Sequence, residues 1–253
     1  MNQRTSKARA AYYAGLAELY VPERRFLETL VSPSDSFLDI GVGAGRTTLH
    51  VEPRVARYVG VDYSPEMIAA LRRRFPALPA ERFALADARD LPFEDASFDR
   101  TMFSFNGLDY VPRADRGRVL SEVRRVTKDD GYFLFSTHNI DWEGLDDSLC
   151  LKREDWIRPR SIARHVRMCV RNRTLSVRAK MEAARRQGYG VVAGSAVRSC
   201  YTSYGRQIAE LGACGFAAIT AFALDGAESD DPTVLAKSPF IHFLTRIEKN
   251  QAR

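Results

Sequence analysis

Residues 37–48 read FLDIGVGAGRTT, an apolar run followed by a glycine-rich turn and a polar helix start. This order is typical of a strand that leads into a helix beside a ligand, because glycine lets the backbone approach a bound molecule. A dinucleotide-binding turn, G-x-G-x-x-G, needs Gly or Ala at the position of Arg46, and a phosphate-binding loop needs Gly at the position of Ile40. The remaining pattern, Asp-x-Gly-x-Gly-x-Gly starting at Asp39, sets an acid beside the turn and favours a cationic ligand.

This turn resembles motif I of the class I S-adenosylmethionine-dependent methyltransferases, whose ligand carries a sulfonium and an ammonium group. The resemblance is close from about residue 35 to 140 and holds in outline from 203 to 248. It implies S-adenosyl-L-methionine as cofactor and no metal. The cofactor-binding residues that it implies at the turn are Asp39, Gly41, Gly43 and Gly45.

From residue 35 the chain alternates short apolar runs with helical patterns, which indicates parallel βαβ units. Strands are predicted at 36–40, 57–61, 82–86, 98–105, 131–137, 216–224 and 240–247. Helices are predicted within 5–31, at 45–52, 65–75 and 113–127, from Pro159 through Arg171, and at 176–187 and 203–214. The predicted fold class is α/β, a Rossmann-like doubly wound sheet of seven strands, mostly parallel with an antiparallel last strand.

Residues 140–200 break the alternation and predict a basic, mainly helical insertion after strand five. Residues 152–186 carry twelve Lys and Arg against three Asp and Glu, so this segment has a charge of +9 and the rest of the chain −3. We therefore assign 1–139 and 201–253 to the S-adenosylmethionine-binding methyltransferase domain. Residues 140–200 are the predicted substrate and lid region.

The composition bounds the class of protein. A chain of 253 residues with 45% hydrophobic residues can hold one large α/β domain with an insertion. The first seven residues contain no apolar signal-peptide core, and no run has the length of a transmembrane helix. Its four cysteines lack metal-binding or disulfide-framework spacing. We therefore predict a cytoplasmic protein without a transmembrane segment.

Two further acids follow predicted strands, where the carboxyl ends of parallel strands form a ligand site. Asp62 lies about twenty residues after the glycine turn, and the resemblance implies that it accepts hydrogen bonds from both ribose hydroxyls; the alternative is that it caps the helix after Ser64. The resemblance also implies that Asp87 and the backbone of Ala88 bind the adenine. The remaining cofactor-binding candidates are Tyr63 and Met67, which would pack against the adenine, and Ser104, which would hold the methionine end. Tyr12 and Tyr13 fall where the family's N-terminal helix closes over the cofactor.

The acceptor side is predicted from the ends of strands four and five. Asn106, Tyr110 and Tyr201 are substrate-binding candidates, and Asn106 could instead cap its loop. His138 follows strand five, where its ordinary pKa suits removal of a proton near neutrality, so it is the predicted catalytic base. A structural or merely substrate-contacting role for His138 is the alternative.

These patterns predict a methyltransferase that moves a methyl group to an oxygen or nitrogen of a small acceptor. The arginines of the insertion suit an anionic or sugar-containing acceptor, including a glycan. The alternative is an RNA-associated methyltransferase, or a non-catalytic S-adenosylmethionine-binding module that uses the insertion to bind nucleic acid. We rank RNA lower because aromatic side chains for base stacking are scarce in the basic segment.

Overall fold

A parallel sheet forms the centre of the molecule. The computed structural model describes residues 12–146, 159–193 and 198–249. The first five strands are β1 (Ser36–Ile40), β2 (Arg57–Asp62), β3 (Phe83–Leu85), β4 (Phe98–Phe103) and β5 (Thr127–Asn139). They pair in the order β3-β2-β1-β4-β5, all parallel, so their carboxyl ends share one edge.

Helices precede β1 and connect most of these strands, at the positions that the sequence predicts. They are α1 (Val21–Leu30), α2 (Thr48–Val51), α3 (Pro65–Arg74) and α4 (Arg113–Val126). Helix α3 starts as expected, because the Ser64 hydroxyl accepts a hydrogen bond from the Met67 N–H at 3.3 Å and Pro65 occupies the first helical position. The first part of the helical pattern predicted over 5–31 lies outside the described residues.

The C-terminal part completes the sheet. It contains α7 (Tyr204–Ala213), β8 (Ala217–Phe222), α8 (Pro232–Leu235) and β9 (Phe240–Arg246), numbered after the elements of the insertion. Strand β9 pairs antiparallel with β5, and β8 pairs antiparallel with β9. The predicted seven-stranded sheet, mostly parallel with an antiparallel last strand, is therefore confirmed.

The insertion adds two helices and an unpredicted β-hairpin. Its described elements are α5 (Pro159–Asn172), α6 (Val177–Gln187), β6 (Tyr189–Ala193) and β7 (Arg198–Thr202). Strand β7 runs parallel to the end of β5, through the pairs His138–Tyr201 and Asn139–Thr202. Because β9 already occupies the other edge of His138, β7 takes the edge that β4 leaves beyond Phe135. The hairpin thus extends the sheet beyond the carboxyl end of β4.

Alternating side chains bury both faces of the sheet. On β1, Leu38 and Ile40 join the core that includes Phe135, whereas Phe37 joins Tyr58 on the opposite face. Such two-sided burial explains why these strands read as continuous apolar runs. The insertion has a smaller core of its own, made of Ile140, Leu145, Met168, Val177, Met181, Ala184 and Val192. In the described part of the chain, no helix combines the length and apolar character needed to cross a membrane.

Candidate active site

A cavity of about 600 Å³ opens at the carboxyl ends of β1, β2 and β4. One part of its wall comes from the loops after these strands and from the loop after β3. The other part comes from the start of α4 and from the hairpin β6–β7. The lining residues used below are Tyr13, Gly41, Gly43, Arg46, Thr47, Asp62, Tyr63, Met67, Asp87, Ala88, Phe103, Ser104, Asp109, Tyr110, Arg113, Tyr189, Val191, Arg198 and Cys200.

The three glycines of the turn have different surroundings. All three have positive φ, +64° at Gly41, +58° at Gly43 and +85° at Gly45. Residues with a Cβ atom rarely adopt this backbone conformation. A Cβ at Gly41 would lie 2.6 Å from the Phe103 ring, and one at Gly45 would lie 2.4 Å from Phe75. A Cβ at Gly43 would meet no atom closer than 3.9 Å. Gly43 therefore leaves room at the cavity, while Gly41 and Gly45 permit close packing of the loop, and Gly45 does not line the cavity.

Asp62 fixes the turn to the end of β2. Its Oδ2 accepts a hydrogen bond from the Gly43 N–H at 3.0 Å, and its Oδ1 accepts one from the Ser64 N–H at 2.8 Å. Burial raises the pKa of this carboxyl to about 6, against the lowering effect of these backbone donors. The carboxylate also lines the cavity, so its remaining lone pairs suit a pair of hydroxyl donors.

Asp39 lies behind the turn rather than on the cavity wall. Its Oδ2 accepts hydrogen bonds from the Thr47 hydroxyl and from the Tyr58 hydroxyl, the latter at 2.9 Å. Its Oδ1 is buried and has no hydrogen-bond partner among the described residues. Burial raises the pKa of this carboxyl to about 6. Thr47 does line the cavity, so Asp39 reaches the site through its neighbour.

The other predicted cofactor residues meet at the same cavity. Asp87 is paired with Arg89, the closest atoms being 2.6 Å apart, and this hydrogen-bonded ion pair lowers the pKa of the Asp87 carboxyl. Ala88 follows it on the wall. The further lining residues among the predictions are Tyr63, Met67 and Ser104. Tyr13 also lines the cavity and contacts Phe105 edge-to-face, with ring centroids 5.9 Å apart.

The predicted acceptor residues are separated by the fold. Tyr110 lines the cavity, and burial raises the pKa of its hydroxyl. Asn106 is buried in a left-handed conformation, and its Oδ1 lacks a hydrogen-bond partner in the described part of the chain. Tyr201 packs on His138 with ring centroids 4.7 Å apart, and burial raises the pKa of its hydroxyl to about 12. Asn106, Tyr201 and His138 are absent from the cavity wall.

His138 is connected to the cavity by Asp109, which the sequence did not indicate. The Asp109 Oδ2 accepts hydrogen bonds from the His138 backbone N–H at 2.6 Å and lies 2.7 Å from the ring Nδ1. Asp109 also pairs with the buried Arg116, which bonds to Gln207 and Glu210 on α7. A chain of charged groups therefore runs from the cavity to α7.

Arg46, which follows the glycine turn, has a structural role that the sequence pattern does not indicate. Its guanidinium makes two hydrogen bonds of 2.7 Å to the Glu23 carboxylate and one of 2.8 Å to the Glu18 carbonyl. It also lies over the rings of Tyr20 and Phe105, at 5.5 and 5.1 Å from their centroids. This buried ion pair fixes α1 against the glycine turn.

The arginines on the cavity wall differ from those that the sequence singled out. Arg113, at the start of α4, lies over the Tyr189 ring at 4.5 Å from its centroid. Arg198 opens β7, beside Val191 and Cys200 of the same hairpin. Arg160, Arg164 and Arg167 of α5 are absent from the wall. Arg198 reaches the cavity through the pairing of β7 with β6, and Arg113 reaches it at the end of the loop that follows β4.

The residues present suit S-adenosylmethionine. Gly43 leaves open space where a side chain would stand, and the two-oxygen carboxylate of Asp62 lines the same cavity. The unpartnered Oδ1 of Asp39 adds a buried negative atom close to the turn. Together they match a ligand that brings hydroxyl donors and positive charge.

Comparison with known proteins points in the same direction. Residues 37–131 match the family model described as "Methyltransferase domain". The chain is 37% identical over 97 residues to the demethylmenaquinone methyltransferase of Clavibacter sepedonicus, covering 38% of each protein. It is 32% identical over 120 residues to the phosphatidylethanolamine N-methyltransferase of Cereibacter sphaeroides, covering 46% of this chain and 57% of that protein.

Solved structures share the fold over most of the chain. One is the Burkholderia thailandensis 1,6-didemethyltoxoflavin-N1-methyltransferase with bound 1,6-didemethyltoxoflavin and S-adenosylhomocysteine. It matches with a TM-score of 0.56 and 16% identity, over 90% of this chain and 77% of that one. By sequence, the chain spans between 37% and 57% of the length of the curated relatives that it matches.

Proposed function

We propose that the chain is a class I S-adenosylmethionine-dependent methyltransferase, and that it moves the methyl group of S-adenosylmethionine to an oxygen or nitrogen of a small anionic acceptor. One observation carries this proposal. A single cavity has acids and a glycine turn on one wall, and two arginines with tyrosines on the other. The first wall suits a cationic nucleoside, and the second suits an anion.

On the cofactor wall, we assign the ribose hydroxyls to Asp62 and the adenine to Asp87 and Ala88, with Tyr63 and Met67 packing beside it. The open space at Gly43 and the partner-free Oδ1 of Asp39 support binding of the methionine end. S-adenosylmethionine supplies a methyl group activated by a positive sulfur. The protein's contribution is alignment and exclusion of water, which Phe103, Tyr13 and Tyr110 support by forming apolar walls.

On the acceptor wall, we assign an anionic group of the acceptor to Arg113 and Arg198. Arginine binds carboxylate and phosphate through paired hydrogen bonds, and the Tyr189 ring supports the Arg113 guanidinium. A nucleotide-linked sugar or acidic glycan belongs to the same chemical class. The tyrosines of this wall suit an acceptor that also presents a flat or apolar surface.

The acceptor must lose a proton when its oxygen or protonated nitrogen is methylated. Asp109 is on the wall and is hydrogen-bonded to His138, so we assign proton removal to this pair, with Asp109 facing the acceptor. His138 then orients the carboxylate through its backbone and ring nitrogens. This refines the role that the sequence predicted for His138 as base.

Binding of S-adenosylhomocysteine tests the cofactor assignment. We expect it to raise the melting temperature of the protein, and Asp62→Ala to abolish the rise; Asp130→Asn, at an exposed site, should preserve it. A folded protein that shows no rise in melting temperature would contradict the proposal.

A second experiment tests the acceptor assignment. Acceptors with and without a carboxylate or phosphate are compared by the transfer of a labelled methyl group. The double variant Arg113→Gln, Arg198→Gln should raise KM for the anionic acceptors and leave the affinity for S-adenosylhomocysteine unchanged, whereas an unchanged KM would reject the anion assignment.

A further inference from the structure

Helix α5 presents a row of arginines to the outside. Arg160, Arg164 and Arg167 recur at spacings of four and three residues, so they lie on one face of the helix, and all three are exposed. Residues 159–172 contain no acidic residue to neutralise this row. None of the three arginines lines the cavity, so the proposed reaction leaves this charge unused.

A second, apolar row is exposed on the same helix. Val166 is 53% exposed and Val170 is 71% exposed, one helical turn apart, and Leu175 in the following turn is 101% exposed. At 100° per residue, this row lies about a third of a turn around the helix from the arginines. Large aliphatic side chains exposed next to each other mark an interaction surface, whereas single ones are ordinary.

The helix is held firmly by its third face. Met168 and Asn172 are buried, and Met168 packs in the core of the insertion with Val177 and Met181. The Asn172 side chain closes the end of β6, donating to the Ala193 carbonyl and accepting from the Ala193 N–H, both at 2.9 Å. The two exposed rows are therefore presented by an anchored helix.

We propose that this surface, consisting of Arg160, Arg164, Arg167, Val166, Val170 and Leu175, docks the protein onto a membrane that contains anionic lipid. An interfacial helix needs an apolar row that enters the acyl region beside cations that reach lipid phosphates, and arginine stems lie along such a boundary. This inference is independent of the proposed reaction, because it rests on residues outside the cavity.

Nucleic acid fits the same surface less well. Arginines would contact its phosphates, but the neighbouring row is aliphatic, and residues 159–172 contain no Phe, Tyr or Trp to stack on a base. A lipid layer offers valine and leucine an apolar phase to enter, which the phosphate backbone of nucleic acid does not.

Sedimentation with vesicles tests the proposal on the full chain. We expect binding to vesicles of equal parts phosphatidylcholine and phosphatidylglycerol, weakening with salt, and little binding to phosphatidylcholine alone. Arg160→Gln, Arg164→Gln and Arg167→Gln together should weaken binding about 100-fold, since each cation near an anionic surface contributes about fivefold. Val166→Ser with Val170→Ser should weaken it at unchanged charge.

Matched controls remove the same groups elsewhere. Arg24→Gln, Arg73→Gln and Arg118→Gln remove three exposed charges from other helices, and Val234→Ser alters an exposed valine on α8; both should bind like the parent protein. Melting temperatures confirm that each variant is folded. Absence of vesicle binding, or equal losses in the control variants, would overturn the proposal. A second combination of results would also overturn the proposal. In it, the parent protein binds single-stranded RNA and the arginine variant loses that binding, while the two-valine variant sediments with vesicles as the parent does.

Discussion

The ring Nδ1 of His138 lies 2.7 Å from the Asp109 Oδ2, and of the two residues only Asp109 lines the cavity. The two residues therefore act as one unit in our proposal, with the carboxylate at the acceptor and the imidazole behind it.

The first prediction follows from this pair. Asp109→Asn and His138→Ala should each lower kcat by about 100-fold or more, with the affinity for S-adenosylhomocysteine unchanged, because each removes part of the proton-accepting unit. The double variant should lose little more than the worse single variant, since residues in one unit are not additive. The pH dependence of kcat checks the role: the variants should lose the rise that the parent shows as its base becomes unprotonated. Unchanged turnover in His138→Ala, with His50→Ala as control, would limit that residue to a structural role.

Alanine substitutions at two glycines of the turn should have different effects, one mainly on stability and the other mainly on ligand binding. Gly45→Ala sets a Cβ 2.4 Å from Phe75 and 2.5 Å from Leu71 at positive φ, so it should lower the free energy of unfolding by about 3 kcal/mol. Gly43→Ala meets no close atom and should cost about 1 kcal/mol, while weakening S-adenosylhomocysteine binding because its methyl group enters the open space. Urea denaturation and calorimetric titration separate the two effects. Equal stability of the two variants would contradict the packing described here.

The buried pair of Glu23 and Arg46 should contribute strongly to folding. Glu23→Gln leaves the guanidinium without its counter-charge and should lower the free energy of unfolding by about 3 kcal/mol or more. Adding Arg46→Met should recover part of that loss, since the unpaired charge is gone. Asp130→Asn, which breaks the exposed pair with Arg246, should change stability by less than about 1 kcal/mol. A double-mutant cycle by chemical denaturation measures the coupling, and a value near zero would refute it.

His242 predicts sensitivity to acid. Burial lowers the pKa of its imidazole to about 4, and neither ring nitrogen has a hydrogen-bond partner among the described residues. Tyr20, Glu23 and Arg46 face it. Because the unfolded chain binds a proton more readily, the stability from neutral His242 is present above about pH 6.5 and is lost as pH falls toward 4, by about 3 kcal/mol.

Two carboxyls act in the opposite direction. The raised pKa values of Asp39 and Asp62 add stability below about pH 4, and this stability is lost as pH rises through about 6. The measurement is therefore the difference in unfolding free energy between the parent protein and His242→Leu, compared at neutral pH and at about pH 4.5. A difference that does not change with pH would exclude the histidine as the cause.

Sequence reasoning located the cofactor wall because its residues follow strands directly. Asp62 and Asp87 come at the ends of β2 and β3, and parallel strands end at one edge, so local pattern alone brings them together. The roles given to them stay predictions, as does the cytoplasmic location. The position of the Asp39 side chain behind the turn could not be predicted in this way, because it depends on a hydrogen bond from Tyr58 on the next strand.

The acceptor wall was less accessible to such reasoning. The hairpin β6–β7 forms because β5 extends past β4 and leaves an unpaired edge, a condition set by strand lengths elsewhere in the chain. The two strands are only five residues long, and Gly190 interrupts the first of them, so the sequence does not predict either strand. Arg198 lines the cavity for the same non-local reason, while Arg160, Arg164 and Arg167 of α5, which the sequence singled out, do not line it.

The attachment of the hairpin has a consequence for how the proposed enzyme could diversify. Strand β7 joins the rest of the sheet through two residues of β5, whereas the glycine turn and Asp62 belong to a separate stretch of chain. If the proposed assignment of the two walls holds, we therefore expect exchange of residues 189–202 to alter which molecule receives the methyl group without rebuilding the site for its donor. A chimera carrying a foreign hairpin should inherit a new acceptor range on an old scaffold.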